Sequence, residues 1–285
     1  MYGCIDIGSN TTRLLVADVT GGRVRAVAAR RIFTRIGAGG DVPLEKVEET
    51  ARVAGALALE AAEMGSERVA LLGTAAVRNA ANGDQLQRAV EDATGLPMRV
   101  LSGDEEAQLS FAGARQGLEH REVERLGVVD VGGGSTELAT GGATGPADWT
   151  ASVPVGSSVL CRSHPAGDPP QDAHVDAWHA AAADALDEVD PPPVDLSLAV
   201  GGTATSLHRL TGPRLTATTL RRALERLCAH PAAEAARRLD LDPERVLLLP
   251  AGITVLMAAA ARLGSELLPA RGGLREGVLL ELAGA

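Results

Sequence analysis

The sequence predicts an α/β protein made of two copies of one lobe, each a mixed sheet with helices on its faces. Three observations predict it. The first half runs as three strands, a helix, a strand, a helix, a strand and a helix, an order in which helices cover a sheet. Ile5-Asp6-Ile7-Gly8-Ser9-Asn10-Thr11-Thr12-Arg13-Leu14 aligns without a gap to Val129-Asp130-Val131-Gly132-Gly133-Gly134-Ser135-Thr136-Glu137-Leu138, with the Asp, the first Gly, the second Thr and the Leu identical. A second echo follows at nearly the same offset, Gly73-Thr74-Ala75 and Gly202-Thr203-Ala204, each directly after an apolar strand.

The elements follow from local pattern. Residues 3–7, 11–19 and 24–33 read as strands, with Gly21-Gly22 as the turn before the third. A helix is expected over 43–64, with Pro43 in its first turn and Gly65 beyond its end. Residues 68–72 form a short apolar strand, Asp84 caps a helix that stops at Gly95, 98–101 is another strand, and Ser102 opens a further helix. The pattern restarts after a charged stretch at 119–126, which places one lobe at 1–124 and the other at 125–285, the last helix free to pack back on the first lobe. In the second half, 163–172 and 190–195 are proline-rich loops around a helix of roughly 173–189. Neither loop is long enough to link domains.

Composition narrows the function. The 285 residues carry 37 acidic and 27 basic side chains, a net charge of −10, and Lys46 is the one lysine. That balance argues against nucleic acid or an anionic membrane as partner, both of which need a basic field. With no lysine elsewhere there is no Walker A loop and no Schiff-base chemistry. Phosphate, if handled, must meet backbone amides, hydroxyls, arginine and metal. Cys4, Cys161 and Cys228 are odd in number and widely spaced, which fits neither a disulfide framework nor a zinc site and points to a reducing cytosol. No signal peptide is visible, and the apolar run 246–261, broken by Pro250 and Gly252, is too short to span a bilayer. The expectation is a soluble cytoplasmic protein.

The repeated turns carry the chemistry. Gly8, Ser9, Asn10, Thr11 and Thr12 in the first copy, and Gly132, Gly133, Gly134, Ser135 and Thr136 in the second, are small residues between strands. Their amides and hydroxyls can cradle an anion; the plainer reading is a β-hairpin or, for the second, a linker. Arg13 stands where the second copy has Glu137, so one lobe offers a phosphate-binding guanidinium and the other a carboxylate. A hairpin brings Asp130 and Glu137 to one face, a reasonable Mg²⁺ site, since Mg²⁺ takes one or two carboxylates plus waters and phosphate oxygens. Glu137 could equally be a solvent-facing strand residue.

Ser102-Gly103-Asp104-Glu105 is a capping box, which accounts for Glu105 and leaves Glu106 over. Glu106 shares a helical stripe with Leu109, Ser110 and Gly113 and should point inward. It is either a plain first-turn acid or a general base on water, worth roughly 10²–10⁴ in rate. Arg78 lies at or just beyond a strand-to-helix turn, where it either contacts phosphate or is one surface arginine among many. The six histidines show no ligand spacing.

Taken in order, Ile5-Asp6-Ile7-Gly8-Ser9-Asn10, Gly73-Thr74-Ala75-Ala76-Val77-Arg78, Ser102-Gly103-Asp104-Glu105-Glu106-Ala107 and Asp130-Val131-Gly132-Gly133-Gly134-Ser135-Thr136-Glu137 resemble the Ppx/GppA family of exopolyphosphatases and guanosine pentaphosphate phosphohydrolases. Val200-Gly201-Gly202-Thr203-Ala204 and Gly273-Leu274-Arg275-Glu276-Gly277 are similar to its second-lobe motifs. The resemblance spans nearly the whole chain and is to the short form, without a C-terminal helical domain. It implies a duplicated ribonuclease-H-like fold of the actin/Hsp70/sugar-kinase superfamily, with the active site in an interlobe cleft. By position, Glu106 matches the catalytic glutamate that activates water. Asp130 and Glu137 match metal-binding carboxylates, with Asp6 a third candidate ligand. Arg78 and the two turns, Arg13 included, match phosphate-binding elements.

The resemblance thus implies Mg²⁺- or Mn²⁺-dependent release of the terminal phosphate of inorganic polyphosphate, with guanosine pentaphosphate (pppGpp) as the nearest rival substrate. A homodimer is the assembly common in that family. One departure, Ala270-Arg271 where members often carry a small polar or acidic pair, bears on substrate preference. An actin-like ATPase or kinase, using Gly201-Gly202-Thr203 as an adenosine loop, and a non-catalytic nucleotide sensor are the remaining alternatives.

Overall fold

The structure is a computed structural model and describes residues 1–118 and 123–284. Residues 119–122, where the expected lobe boundary begins, lie outside the described residues. By its internal contacts the chain forms two compact units, one of residues 1–116 with 272–285 and the other of 117–271.

The first unit begins with β1 (Tyr2–Ile7), β2 (Thr11–Thr20) and β3 (Arg23–Phe33). Gly21 and Gly22 join β2 to β3 with φ of 58° and 73°. A two-residue hairpin turn of that type needs positive φ at both positions, which glycine adopts without strain. Helix α1 (Leu44–Glu63) starts after Pro43 and buries Val47, Ala51, Ala54, Leu57 and Ala61 along one stripe. Next come β4 (Arg68–Gly73), the single turn α2 (Ala75–Arg78), α3 (Gly83–Thr94), β5 (Met98–Val100) and α4 (Gly103–Ala114). The N-cap of α3 is Asn82 and Asp84 sits inside the first turn, which corrects the expected cap. Asn82 is fixed there because its side-chain amide bridges the backbone N–H and C=O of Val42 at 2.8 and 2.9 Å. Gly95 ends α3 in the left-handed conformation at φ 68°.

The sheet order is β3-β2-β1-β4-β5, with β2 antiparallel to both its neighbours β1 and β3, and β1, β4 and β5 parallel. Side chains alternate across it. Ile5, Ile7, Leu14 and Val16 face α1 and α3, while Cys4, Leu15 and Ala17 pack with Leu101 and with Leu109 of α4. Burying each such aliphatic side chain contributes about 1.5–3 kcal/mol.

The second unit repeats the plan. It contains β6 (Arg125–Val131), β7 (Thr136–Gly142), β8 (Trp149–Val153), α5 (Ser157–Ser163), α6 (Asp172–Ala185), β9 (Leu196–Val200), α7 (Gly201–Thr211), α8 (Ala217–Cys228), α9 (Ala232–Leu239), α10 (Pro243–Val246), α11 (Leu249–Leu263) and β10 (Leu267–Pro269). Its sheet order, β8-β7-β6-β9-β10, has the same mixture of directions position for position. Two sheets of this order are the duplicated ribonuclease-H-like architecture. The apolar run 246–261 belongs mostly to α11, a core helix whose Pro250 lies in the first turn, where a missing N–H costs nothing. Among the described residues no helix is long and apolar enough to cross a membrane.

The last helix, α12 (Leu274–Gly284), belongs to the first unit and packs there on α4 and β1. Val278 and Leu279 join the Cys4–Leu109 cluster. The Gly273 amide is accepted by the Glu276 carboxylate at 2.9 Å, a cap for the helix start. Gly113 and Gly277 allow the close approach: a Cβ on Gly113 would lie 2.0 Å from the Gly273 carbonyl oxygen, and one on Gly277 2.0 Å from that of Leu109.

Candidate functional site

Both repeated sequences fold into the same hairpin. Asp6 pairs with Arg13 and Ile7 with Thr12 across β1–β2; Asp130 pairs with Glu137 and Val131 with Thr136 across β6–β7. The closing bonds match as well, Gly8 N–H to Thr11 C=O and Gly132 N–H to Ser135 C=O, each 3.0 Å. The plain-linker reading of residues 132–135 is thereby excluded.

Thr12 and Thr136 are fully buried, and their hydroxyls have protein partners: Thr12 shares a bond of 3.1 Å with Thr34, and Thr136 donates to the Val155 carbonyl at 2.6 Å. These bonds tie each hairpin to a neighbouring segment. In the second copy the carbonyls of Gly132 and Gly133 accept from the first amides of α5, those of Ser157, Ser158 and Val159, at 3.0–3.1 Å. That contact needs Gly156, where a Cβ would fall 2.6 Å from the Gly133 carbonyl. Among the described residues the amides of Gly133, Gly134 and Ser135 have no backbone acceptor, the state an anion cradle requires. In the first copy the turn is backed by the following segment: Arg35 N–H donates to Asn10 C=O at 3.1 Å and Gly37 N–H to Ser9 C=O at 3.0 Å. Arg13 folds toward that turn, its Nε donating to the Thr11 hydroxyl at 3.0 Å.

Glu106 and Arg78, far apart in sequence, meet. The capping box closes α4 as the spacing predicts, Glu105 N–H to Ser102 Oγ at 3.2 Å and Ser102 N–H to Glu105 Oε2 at 2.8 Å. Backbone bonding at Ser102 and the ion pair with Arg99 hold the Glu105 carboxyl down at about 2. Glu105 therefore stabilises the fold above the ordinary carboxylate range, and that contribution disappears as pH falls from about 4.5 toward 2. A thermal melt of wild type across that range should drop more steeply than one of Glu105→Gln.

Glu106 is the acid left over. It is 5% exposed in the first turn of α4, and Arg78, the last residue of α2, donates its Nη1 to Glu106 Oε1 and to the Leu101 carbonyl. Arg78 is thus a positioned guanidinium and not a solvated surface arginine. Thr74 anchors α2 to the site strand, its hydroxyl donating to the Ile7 carbonyl at 3.1 Å.

Asp6 lies on the α4 side of the first sheet, in step with Cys4. Burial pushes its carboxyl above the ordinary range, and the positive charges of Arg13 and Arg275 pull it part of the way back. Arg275 is a site residue that sequence reasoning missed; its motif was noticed, but only the folding of α12 onto β1 puts it near Asp6.

Asp130 and Glu137 are direct cross-strand neighbours on one face of the second sheet. Two like charges in that relation repel. Glu137 is 5% exposed and accepts from the Ser152 hydroxyl at 2.9 Å. The Asp130 carboxylate occupies the space over Gly201, where a Cβ would come 2.3 Å from Oδ1. Gly201 has φ 83°, so two constraints exclude a side chain there. Two fixed hard oxygen donors suit Mg²⁺ or Mn²⁺, which take their other ligands from water and phosphate. Among the described residues no group of three or more His, Cys, Asp or Glu is gathered for a metal, and Asp6 belongs to the other unit.

Comparison with known proteins bears on the family and the fold. The sequence model of the Ppx/GppA phosphatase family matches residues 15–285. An uncharacterized protein of Streptomyces coelicolor is 32% identical over 298 residues, covering 97% of this chain and 88% of that protein. Exopolyphosphatase 1 of Mycobacterium leprae is 30% identical over 302 residues, covering 98% and 88%. The crystal structure of the Aquifex aeolicus member of the Ppx/GppA family superposes with a TM-score of 0.81 at 26% identity, covering 99% of this chain and 97% of that one.

Proposed function

Because this chain belongs to the Ppx/GppA phosphatase family, we propose that it hydrolyses the terminal phosphoanhydride bond of inorganic polyphosphate. The observation that carries the reading is Glu106, a buried carboxylate aimed by Arg78 in the first turn of α4. A kinase has no use for a group placed to take a proton from water. An exopolyphosphatase needs one.

In this reading the hairpin amides and Arg13 bind phosphate oxygens. Glu106 accepts a proton from the attacking water, whose oxygen bonds to the terminal phosphorus as the bridging P–O bond breaks. Among the described residues Arg78 uses only Nη1 for protein contacts, so its remaining N–H groups are available to the transferred phosphoryl oxygens. Asp130 and Glu137 would hold a divalent cation, which supplies charge neutralisation at the phosphoryl group. Asp130→Asn and Glu137→Gln should each raise the Mg²⁺ concentration needed for half-maximal activity, by about tenfold or more. An unchanged Mg²⁺ titration in both would overturn the metal assignment.

The aromatic side chains support phosphate over a nucleobase. Phe111 and Trp178 are buried, and Trp178 Nε1 donates to the His164 carbonyl at 2.9 Å. Phe33 already carries the guanidinium groups of Arg31 and Arg35 against its ring. One assay tests the reading: phosphate release from long polyphosphate, tripolyphosphate, pppGpp and ATP, with and without Mg²⁺. Mg²⁺-dependent release from polyphosphate chains is expected; release from pppGpp alone would transfer the chemistry to the nucleotide.

A further inference from the structure

The second unit holds a pocket that the chemistry above does not use. Its volume is about 660 Å³, and the residues lining it all belong to that unit. The floor is the sheet itself. Strands β9 and β10 run parallel with Leu198 beside Leu268. Side chains alternate along a strand, so Leu196, Leu198 and Leu268 share one face, while Ala199 and Leu267 point the other way into the core. Pro213 and Pro269 add apolar surface to the walls.

Backbone bonds fix the walls. The Leu215 amide donates to the Leu267 carbonyl at 2.8 Å and holds 213–214 against β10; the Ala270 amide donates to the Ala199 carbonyl at 2.9 Å and does the same for 270–271. Where the strands begin, the polar side chains are already engaged. Glu266 accepts two bonds from Arg214, that from Nε at 3.0 Å. Ser265 shares a bond with Ser197, and Asp195 accepts from the Arg125 amide at 2.8 Å. Among the described residues two polar lining side chains, Arg271 and His208, have no hydrogen-bond or ion-pair partner. Arg271 is exposed just past the other end of β10, where Ala270 stands roughly 13 Å from Glu266 at the ordinary strand rise. The pocket is therefore apolar along its floor, neutralised at one end and cationic at the other.

That distribution selects an occupant. A nucleobase carries several polar edge atoms, each of which costs free energy when it leaves water without a partner, and most polar groups here are taken. An apolar body with one anionic group fits better, the body against leucine and proline and the anion on a guanidinium that can grip it with two parallel bonds. We propose that this pocket binds an amphipathic monoanion, in its simplest form a medium-chain alkyl carboxylate, with the carboxylate on Arg271 and the chain over Leu196, Leu198 and Leu268. The site stands apart from the phosphate chemistry, since none of the residues assigned to phosphate or metal lines it.

The test is calorimetric titration of the full chain with hexanoate, octanoate and decanoate, with octanol as the uncharged counterpart and GMP as the nucleotide. Wild type should bind the carboxylates, with affinity rising up to about fourfold per added methylene. Arg271→Ala should weaken octanoate about tenfold and leave octanol unchanged, and Arg271→Lys should recover part of that loss. Arg88→Ala, which removes an exposed arginine of α3 in the first unit, should match wild type. Leu268→Ser should flatten the dependence on chain length; if a thermal melt shows that it does not fold, the Arg271 variants decide alone. The site is overturned by wild type that binds none of the carboxylates, by octanoate affinity unchanged in Arg271→Ala, by an equal loss in Arg88→Ala, or by an unaltered chain-length dependence in a folded Leu268→Ser. Binding of GMP through Arg271 without binding of octanoate overturns the ligand class. Binding is read without turnover, so each result is independent of the hydrolase reading.

Discussion

Glu106→Gln is expected to lower kcat on polyphosphate by about 10²–10⁴ while KM stays within a few-fold of wild type. That range is what a positioned general base contributes. Glutamine keeps the shape of the side chain and an oxygen that can still accept from Arg78, so the α4 start and the phosphate turns should hold their places. What it removes is the capacity to take a proton from water. A loss in kcat without a matching change in KM is the signature of an interaction made only in the transition state. Steady-state kinetics together with a thermal melt check the expectation. Full activity in Glu106→Gln would sink the base assignment and leave the carboxylate only the task of fixing Arg78.

Gly277→Ala is expected to destabilise the first unit by about 3 kcal/mol, lowering the melting temperature by roughly 6–12 °C. The added methyl would lie 2.0 Å from the Leu109 carbonyl oxygen and 2.7 Å from its carbon. Both atoms are helix backbone, so no rotamer change relieves the clash and α12 must move off α4. KM below the new melting temperature should stay near wild type, because Gly277 packs helices and touches no phosphate-binding group. A variant that melts normally and has lost activity would refute the packing account. Gly-Leu-Arg-Glu-Gly then acquires distinct parts: Gly273 and Glu276 start the helix, Gly277 admits α4, and Arg275 reaches the neighbourhood of Asp6.

The duplicated architecture was legible because the information lies in two short, gap-free stretches that fold locally. Asp6 opposite Arg13 and Asp130 opposite Glu137 follow from a tight hairpin and a period of two. The capping box at Ser102 was legible for the same reason, since all its parts fall within four residues. What stayed hidden depends on tertiary approach. The four residues of α2 carry no helical periodicity of their own, and the helix exists because Thr74 is tied to β1. Arg78 meets Glu106 only once β4 and β5 pair and set α2 beside the start of α4. Gly201 reads as one more loop glycine until the Asp130 carboxylate is seen against it. The α3 cap fell on Asn82 and not Asp84 because Val42, forty residues earlier, claims the Asn82 amide.

The path of α12 sets an order of assembly during synthesis. The second unit is one continuous stretch, whereas the first lacks a helix of its core until residues 272–284 have been made. Cys4, Leu15, Ala17 and Leu109 must therefore wait with their sheet face partly uncovered while the whole intervening unit is translated. At about 5–20 residues per second that interval is roughly 10–30 s. The half of the molecule carrying Glu106 begins to fold first and is completed last, so a nascent chain stalled near residue 271 would hold a finished second unit and an unfinished first one.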